Sequence, residues 1–275
     1  MPVEVKFTIR YTGGTADESI LDLYDAASSM QGLAKALAIT THALTSEGEI
    51  RSKGDSIPNV KFFLHPPKQG SFIELVTIVF EDPVIRVIGA SVVATAFWDM
   101  IDFTWRQATG RNKEPEERIA KKIVRENELF PQEISRVLEI PLQQLHRPIL
   151  HDRNIEIEIK RPRIGTVLKF NASTLDYVMS QNDPQLVEDI HGNVTKYNII
   201  TGYGRFYDDV SQRTIPFHIS PNLTTTQQET LTWSLHHSTT DNRNGKIIID
   251  CQVIRDRLDN IKRYVIEDAR KIDND

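Results

Sequence analysis

The 275 residues exceed one typical domain and suit two. With 39% hydrophobic and 26% charged residues, the composition is that of a soluble chain with a sizeable core, which excludes global disorder. A formal net charge of −5 excludes a uniformly basic, polyanion-binding surface, so any nucleic-acid contact must be local.

The segment Val3–Tyr11 alternates apolar and polar residues and reads as a half-buried strand. Met1 to Arg10 lacks the basic-then-apolar layout of a signal peptide, so the expected location is the cytoplasm. Gly13-Gly14-Thr15 breaks the strand. Asp17, Glu18 and Ser19 are expected to open a long helix that ends near Gly48, with acids where the N-terminal dipole favours them. Val60–His65 and Ser71–Phe80 read as two more strands around a turn at Pro66–Gly70, giving a β-α-β-β unit.

Pro83 suits a first helical turn, and an apolar helix is expected to follow it to near Gly110. The uncharged run from Val87 to Trp98 is shorter than the ~20 residues of a membrane-spanning helix, so a buried or subunit-packing helix is expected. Small residues permit close helix approach, and Trp98 and Trp105 lie seven apart on one face. Val87, Ala90, Ala94, Trp98 and Trp105 are therefore the expected homo-oligomer face. Charged helices are read at Glu114–Glu128 and Pro131–Leu145, and a domain boundary near Pro148–Asn154.

This divides the chain into residues 1–150, an α/β and helical domain, and 151–275, a β-rich domain. Ile155–Lys160 alternates as a strand that Val167–Phe170 can join, and Ser173–Gln181 reads as a short helix. Further strands are expected at Val187–Asn198, Tyr203–Asp208, Thr214–Ile219, Lys246–Val253 and Arg263–Ile266, with a helix at Thr224–His237. Five strands with a helix between the third and fourth is the order of an OB-fold barrel, here about residues 186–268. The expected class is α+β.

Three segments in this region carry more. Gly192-Asn193-Val194-Thr195-Lys196-Tyr197-Asn198 leads into Gly202-Tyr203-Gly204-Arg205-Phe206, and Ile215-Pro216-Phe217-His218-Ile219-Ser220 follows. Together they resemble the cold-shock domain, a nucleic-acid-binding OB-fold that writes Gly-x-Val-x-x-Phe-Asn, Lys-Gly-(Phe/Tyr)-Gly-Phe and Val-Phe-Val-His-Phe-Ser. The resemblance covers residues 192–220 only. It implies that Tyr203 and His218 form a platform for base stacking, with Arg205 and Lys196 beside them. The sequence departs from the family at Lys196, Arg205, Pro216 and Ile219, where the family places aromatic rings. His191 to Asp275 holds 11 basic and 11 acidic residues, so a phosphate track must be concentrated on one face.

Other constellations are weaker. His218, His236, His237 and Asp241 suggest a metal site, but adjacent helical residues point about 100° apart, so no metal is expected. His146 and His151 lack a nucleophile or orienting partner. Tyr11–Thr15 sits where a phosphate cradle would, without the Gly-Lys-Ser/Thr ending of a P-loop. Asp208 and Asp209 read as solvated turn acids. The single cysteine, Cys251, excludes an internal disulfide and a cysteine-based zinc site, and its alternation with Ile249 and Val253 places it in the barrel core.

The sequence therefore points to a non-enzyme without cofactor, metal or catalytic residues. Its barrel is expected to bind single-stranded DNA or RNA weakly through Tyr203, Arg205, His218 and Lys196. The alternative is an oligomeric regulatory factor with a protein partner, of bacterial phage defence, acting on another protein's nucleic-acid machinery. A membrane-acting effector that uses Val84–Trp98 is the minor alternative, and no membrane partner is expected.

Overall fold

Apolar residues at every second position of β1 (Val3–Thr12) set one side of a sheet. Val3, Val5, Phe7, Ile9 and Tyr11 are all buried. A computed structural model describes residues 2–51, 57–65, 73–81, 90–179, 185–239, 244–257 and 259–272. Within it β1 is the central strand of a five-stranded antiparallel sheet. It lies between β3 (Ile73–Phe80) and β4 (Glu156–Arg161), with β2 (Val60–Leu64) and β5 (Gly165–Phe170) at the edges.

Among the described residues the α-helices of this unit are α1 (Leu23–Thr45), α2 (Ala90–Ala108), α3 (Arg118–Glu126), α4 (Phe130–Leu145), α5 (Arg147–His151) and α6 (Ala172–Val178). Helix α1 packs along α4, where the Ser29 hydroxyl donates to the Leu145 carbonyl at 2.7 Å and meets the Tyr11 hydroxyl at 2.8 Å.

The first helix starts later than its acids suggest. Asp17 and Glu18 fall in a short 3-10 turn, Gly14–Glu18, which Ser19 ends in the left-handed region at φ 61°. Asp22 is the true cap, and its carboxylate accepts from the amides of Tyr24 and Asp25 at 2.9 and 3.0 Å.

The tryptophans expected on an oligomer face lie inside this unit. Trp98 is 4% exposed and packs edge-on against Phe7 at 5.5 Å. Trp105 is fully buried, and its indole N–H donates to Thr40 Oγ1 at 2.9 Å. The sheet needs a cover, and these large rings supply it. Ala90 is exposed and Ala94 half-buried, while Val87 lies outside the described residues. So do Pro83 and the turn expected at 66–70.

The chain divides into compact units after Val178, later than the boundary expected at 148–154. The reason is strand pairing. Ile157 and Ile159 on β4 sit opposite Tyr11 and Ile9 on β1, so this strand completes the first sheet.

The second unit comprises β6 (Gln185–Tyr197), β7 (Tyr203–Asp208), β8 (Arg213–Ile219), α7 (Thr225–Ser238), β9 (Ile247–Arg255) and β10 (Ile261–Lys271). The strands close into a barrel in the order β10-β8-β7-β6-β9. The β8–β10 pair is parallel and the others are antiparallel. A closed five-stranded barrel with its helix between the third and fourth strands is compatible with an OB-like fold, as the strand order predicts. The architecture as a whole is α+β.

Val194, Phe206, Ile215, Phe217, Cys251 and Tyr264 belong to the barrel core. Cys251 lies in the core as its alternation predicts, and burial raises its thiol to about 12. Helix α7 starts with a capping box of Thr224 and Gln227. Its Ser234 hydroxyl accepts from the Val194 amide at 3.0 Å and donates to the Gly245 carbonyl at 2.6 Å, which seats the helix on the barrel. Asp208 is 5% exposed rather than solvated. It accepts from the Tyr264 hydroxyl at 2.9 Å and from the amides of Val210 and Ser211.

Candidate nucleic-acid interface

Strand β7 alternates between the two sides of the barrel wall. Gly204, Phe206 and Asp208 are buried, and Tyr203, Arg205 and Tyr207 are half-buried on the outer side. On β8, Ile215 and Phe217 enter the core while Pro216 and His218 face out. The register sets Tyr203 opposite His218 and Arg205 opposite Pro216. Across the other edge of β7, Lys196 of β6 sits opposite Arg205. The four residues singled out in the sequence therefore share one patch of outer wall.

The Tyr203 and His218 rings are stacked, with centroids 5.9 Å apart and planes 29° from parallel. Two glycines hold Tyr203 in place. Gly202 has a φ of 73°, and its carbonyl accepts from the Ile219 amide at 3.0 Å. At Gly204 a Cβ would come 2.2 Å from the Phe217 ring and 2.5 Å from the Lys196 carbonyl, so no side chain fits. Tyr203 thus stands between two positions that favour glycine for different reasons.

Lys196 and Arg205 form the charged half of the patch. Burial lowers the pKa of the Lys196 ammonium, and the nearby Arg205 guanidinium lowers it further. Burial also lowers the pKa of Arg205. A phosphate set between the two cations would offset these penalties and accept charge-assisted hydrogen bonds from both.

Three features of this wall escape the sequence reading. Tyr207 adds a third outer ring-bearing position on strands β7 and β8, two residues beyond Arg205. Arg263 on β10 precedes Tyr264, the inward partner of Phe217, and so lies on the outer side. The alternation of each strand carried that signal. The third is the turn from β6 to β7, where Ile199 and Ile200 are 70% and 91% exposed. Asn198 Oδ1 accepts from the amides of Ile200 at 2.9 Å and Thr201 at 3.2 Å.

The other constellations have structural roles. His146 is fully buried between the Leu142 carbonyl at 2.6 Å and Thr174 Oγ1 at 2.9 Å, and burial lowers its pKa to about 4. His151 and Arg147 both hold the buried Asp25 carboxylate, at 2.6 and 3.1 Å, and tie α5 to α1. His237 Nδ1 pairs with the Trp233 carbonyl. Among the described residues no three metal-ligating side chains gather, and Asp241 lies outside them. In the loop after β1, Asp17 takes the Gly13 amide at 2.8 Å, which places a carboxylate where a phosphate would have to sit.

Residues 7–179 match the Domain of unknown function DUF7946. The chain belongs to this family. The DUF7946 match ends beside the division between the two units, and residues 187–270, the barrel, match the Family of unknown function DUF7947. No cold-shock family is matched, so the likeness stated from residues 192–220 extends to the form of the barrel and no further. No curated protein and no solved structure matches the DUF7946 chain. No helix among its described residues is long and apolar enough to cross a membrane.

Proposed function

We propose that the barrel binds single-stranded nucleic acid, weakly and without catalysing a reaction, in the cytoplasm. The observation that carries this reading is the stacked Tyr203–His218 pair beside the Lys196–Arg205 pair, all on one outer face. Rings accept the faces of bases, and the two cations accept the backbone that joins them. The chemistry of both halves of a nucleotide is met within a few residues. With no net charge over the barrel segment as a whole, binding is confined to this face and falls with salt. Fluorescence anisotropy with a labelled oligonucleotide at low salt tests it. Binding lost in both Tyr203→Ala and His218→Ala supports the reading, and binding indifferent to both changes overturns it.

A second reading, a protein-interaction or regulatory role, is favoured by one feature of the first unit. Ile20, Leu23 and Tyr24 are 59%, 84% and 66% exposed around the start of α1. Such an apolar cluster suits a protein contact, and a second copy of this chain would bury it symmetrically. A role in phage defence would follow if the partner were nucleic-acid machinery. Light scattering decides the self-association part: a monomer at micromolar concentration counts against it.

A further inference from the structure

We infer that the Ile199–Ile200 turn is a wedge that packs on the last base pair where a single strand leaves a duplex; this rests on the single-strand reading of the barrel. Ile200 is 91% exposed and Ile199 70%, at the tip of the hairpin that carries Lys196 on one strand and Tyr203 and Arg205 on the other. An isoleucine side chain offers neither charge nor hydrogen bond. It gains only by covering apolar surface, and the broadest apolar surface of a nucleic acid is the face of a terminal base pair. Isoleucine is among the side chains that wedge against base steps in other complexes.

The turn is already ordered. The Asn198 amide donates to the Tyr203 carbonyl at 2.8 Å, the Gly202 amide donates to the Asn198 carbonyl at 2.8 Å, and the Asn198 side chain fixes the two amides between. Little conformational freedom is then lost on contact. The hairpin closes on Tyr203 itself, so a strand stacked on Tyr203 and His218 runs directly to the tip. A protein or lipid surface would account for the isoleucines but not for the stacked rings and paired cations next to them.

The test compares two probes: a single strand, and the same strand extending from a hairpin duplex with 2-aminopurine in its last pair. Wild type is expected to bind the junction roughly tenfold more tightly and to brighten the 2-aminopurine as the isoleucines displace the overhang base stacked on it. Ile199→Ser with Ile200→Ser, both on an exposed turn, should abolish the preference and the brightening while keeping single-strand affinity. Equal wild-type affinity for the two probes, or a preference that survives the double change, overturns the wedge alone. Failure of wild type to bind either probe overturns the single-strand reading and the wedge with it.

Discussion

Tyr203 on β7 and His218 on β8 are register partners whose rings stack 5.9 Å apart on the outside of the barrel. Neither ring supports the core. Removing the Tyr203 ring should therefore cost binding and spare the fold. Base stacking on an aromatic ring contributes about 1–3 kcal/mol by alanine substitution, so Tyr203→Ala should weaken oligonucleotide binding by a corresponding factor. Tyr203→Phe should retain most of it. Anisotropy titrations give the affinities, and unchanged thermal unfolding confirms that the barrel is intact.

Lys196 and Arg205 act through phosphate and should not discriminate between bases. Replacing either with Gln is expected to weaken binding to all sequences alike and to reduce the salt slope by about one. Titrations over a range of salt concentrations measure this. An unchanged slope in both variants would remove the phosphate contact from the site.

Gly204 faces the Phe217 ring with no space for a methyl group. Gly204→Ala should destabilise the barrel by about 1–3 kcal/mol through overpacking. Urea unfolding of this variant checks it, and a wild-type midpoint would show that Phe217 can give way.

Asp208 and Tyr264 form a buried bond across the barrel. Burial raises the Asp208 pKa, but the Tyr264 hydroxyl and the amides of Ser211 and Val210 outweigh it, and the net shift is below the ordinary 3.8. A lowered carboxylate pKa stabilises the fold above the unfolded value and loses that contribution as pH falls through the folded one. Tyr264→Phe should thus lose about 1–3 kcal/mol near neutral pH, with a smaller deficit in strong acid. Unfolding measured from pH 2 to pH 7 follows both.

His146 titrates in the other sense. It is neutral in its buried site, with a pKa of about 4 against an ordinary 6.5. Between these values the unfolded chain binds the proton and the folded chain does not. Stability from this group is complete above pH 6.5 and declines towards pH 4, by up to about 1.4 kcal/mol per unit. His146→Gln should flatten that part of the profile in pH-dependent unfolding.

The barrel was legible because each strand alternates and its turns are marked. Under the cold-shock resemblance, alternation along β7 and β8 turns Phe206 and Phe217 inward and Tyr203, Arg205 and His218 outward, as the structure has them. Lys196 joined them through the register of β6, which the residues alone suggested only by resemblance. The first unit was harder to read. Acids at Asp17 and Glu18 favour a helix start, yet the left-handed Ser19 stops the turn and Asp22 takes the cap. Trp98 and Trp105 share a helical face in either case, and only the sheet behind them shows that this face is core. The β4 strand carried the sign of its hairpin partner β5 but none of β1, because strand pairing at long range leaves no local mark in sequence.

That last pairing bears on how the protein is made. Strand β1 is synthesised before both of its neighbours, since β3 and β4 begin only at Ile73 and Glu156. Until both emerge, this central strand has two unpaired backbone edges and an uncovered apolar face of Val5, Phe7 and Ile9. Such edges are templates for wrong partners. Slow translation before residue 160 would lengthen the exposure of these edges to aggregation.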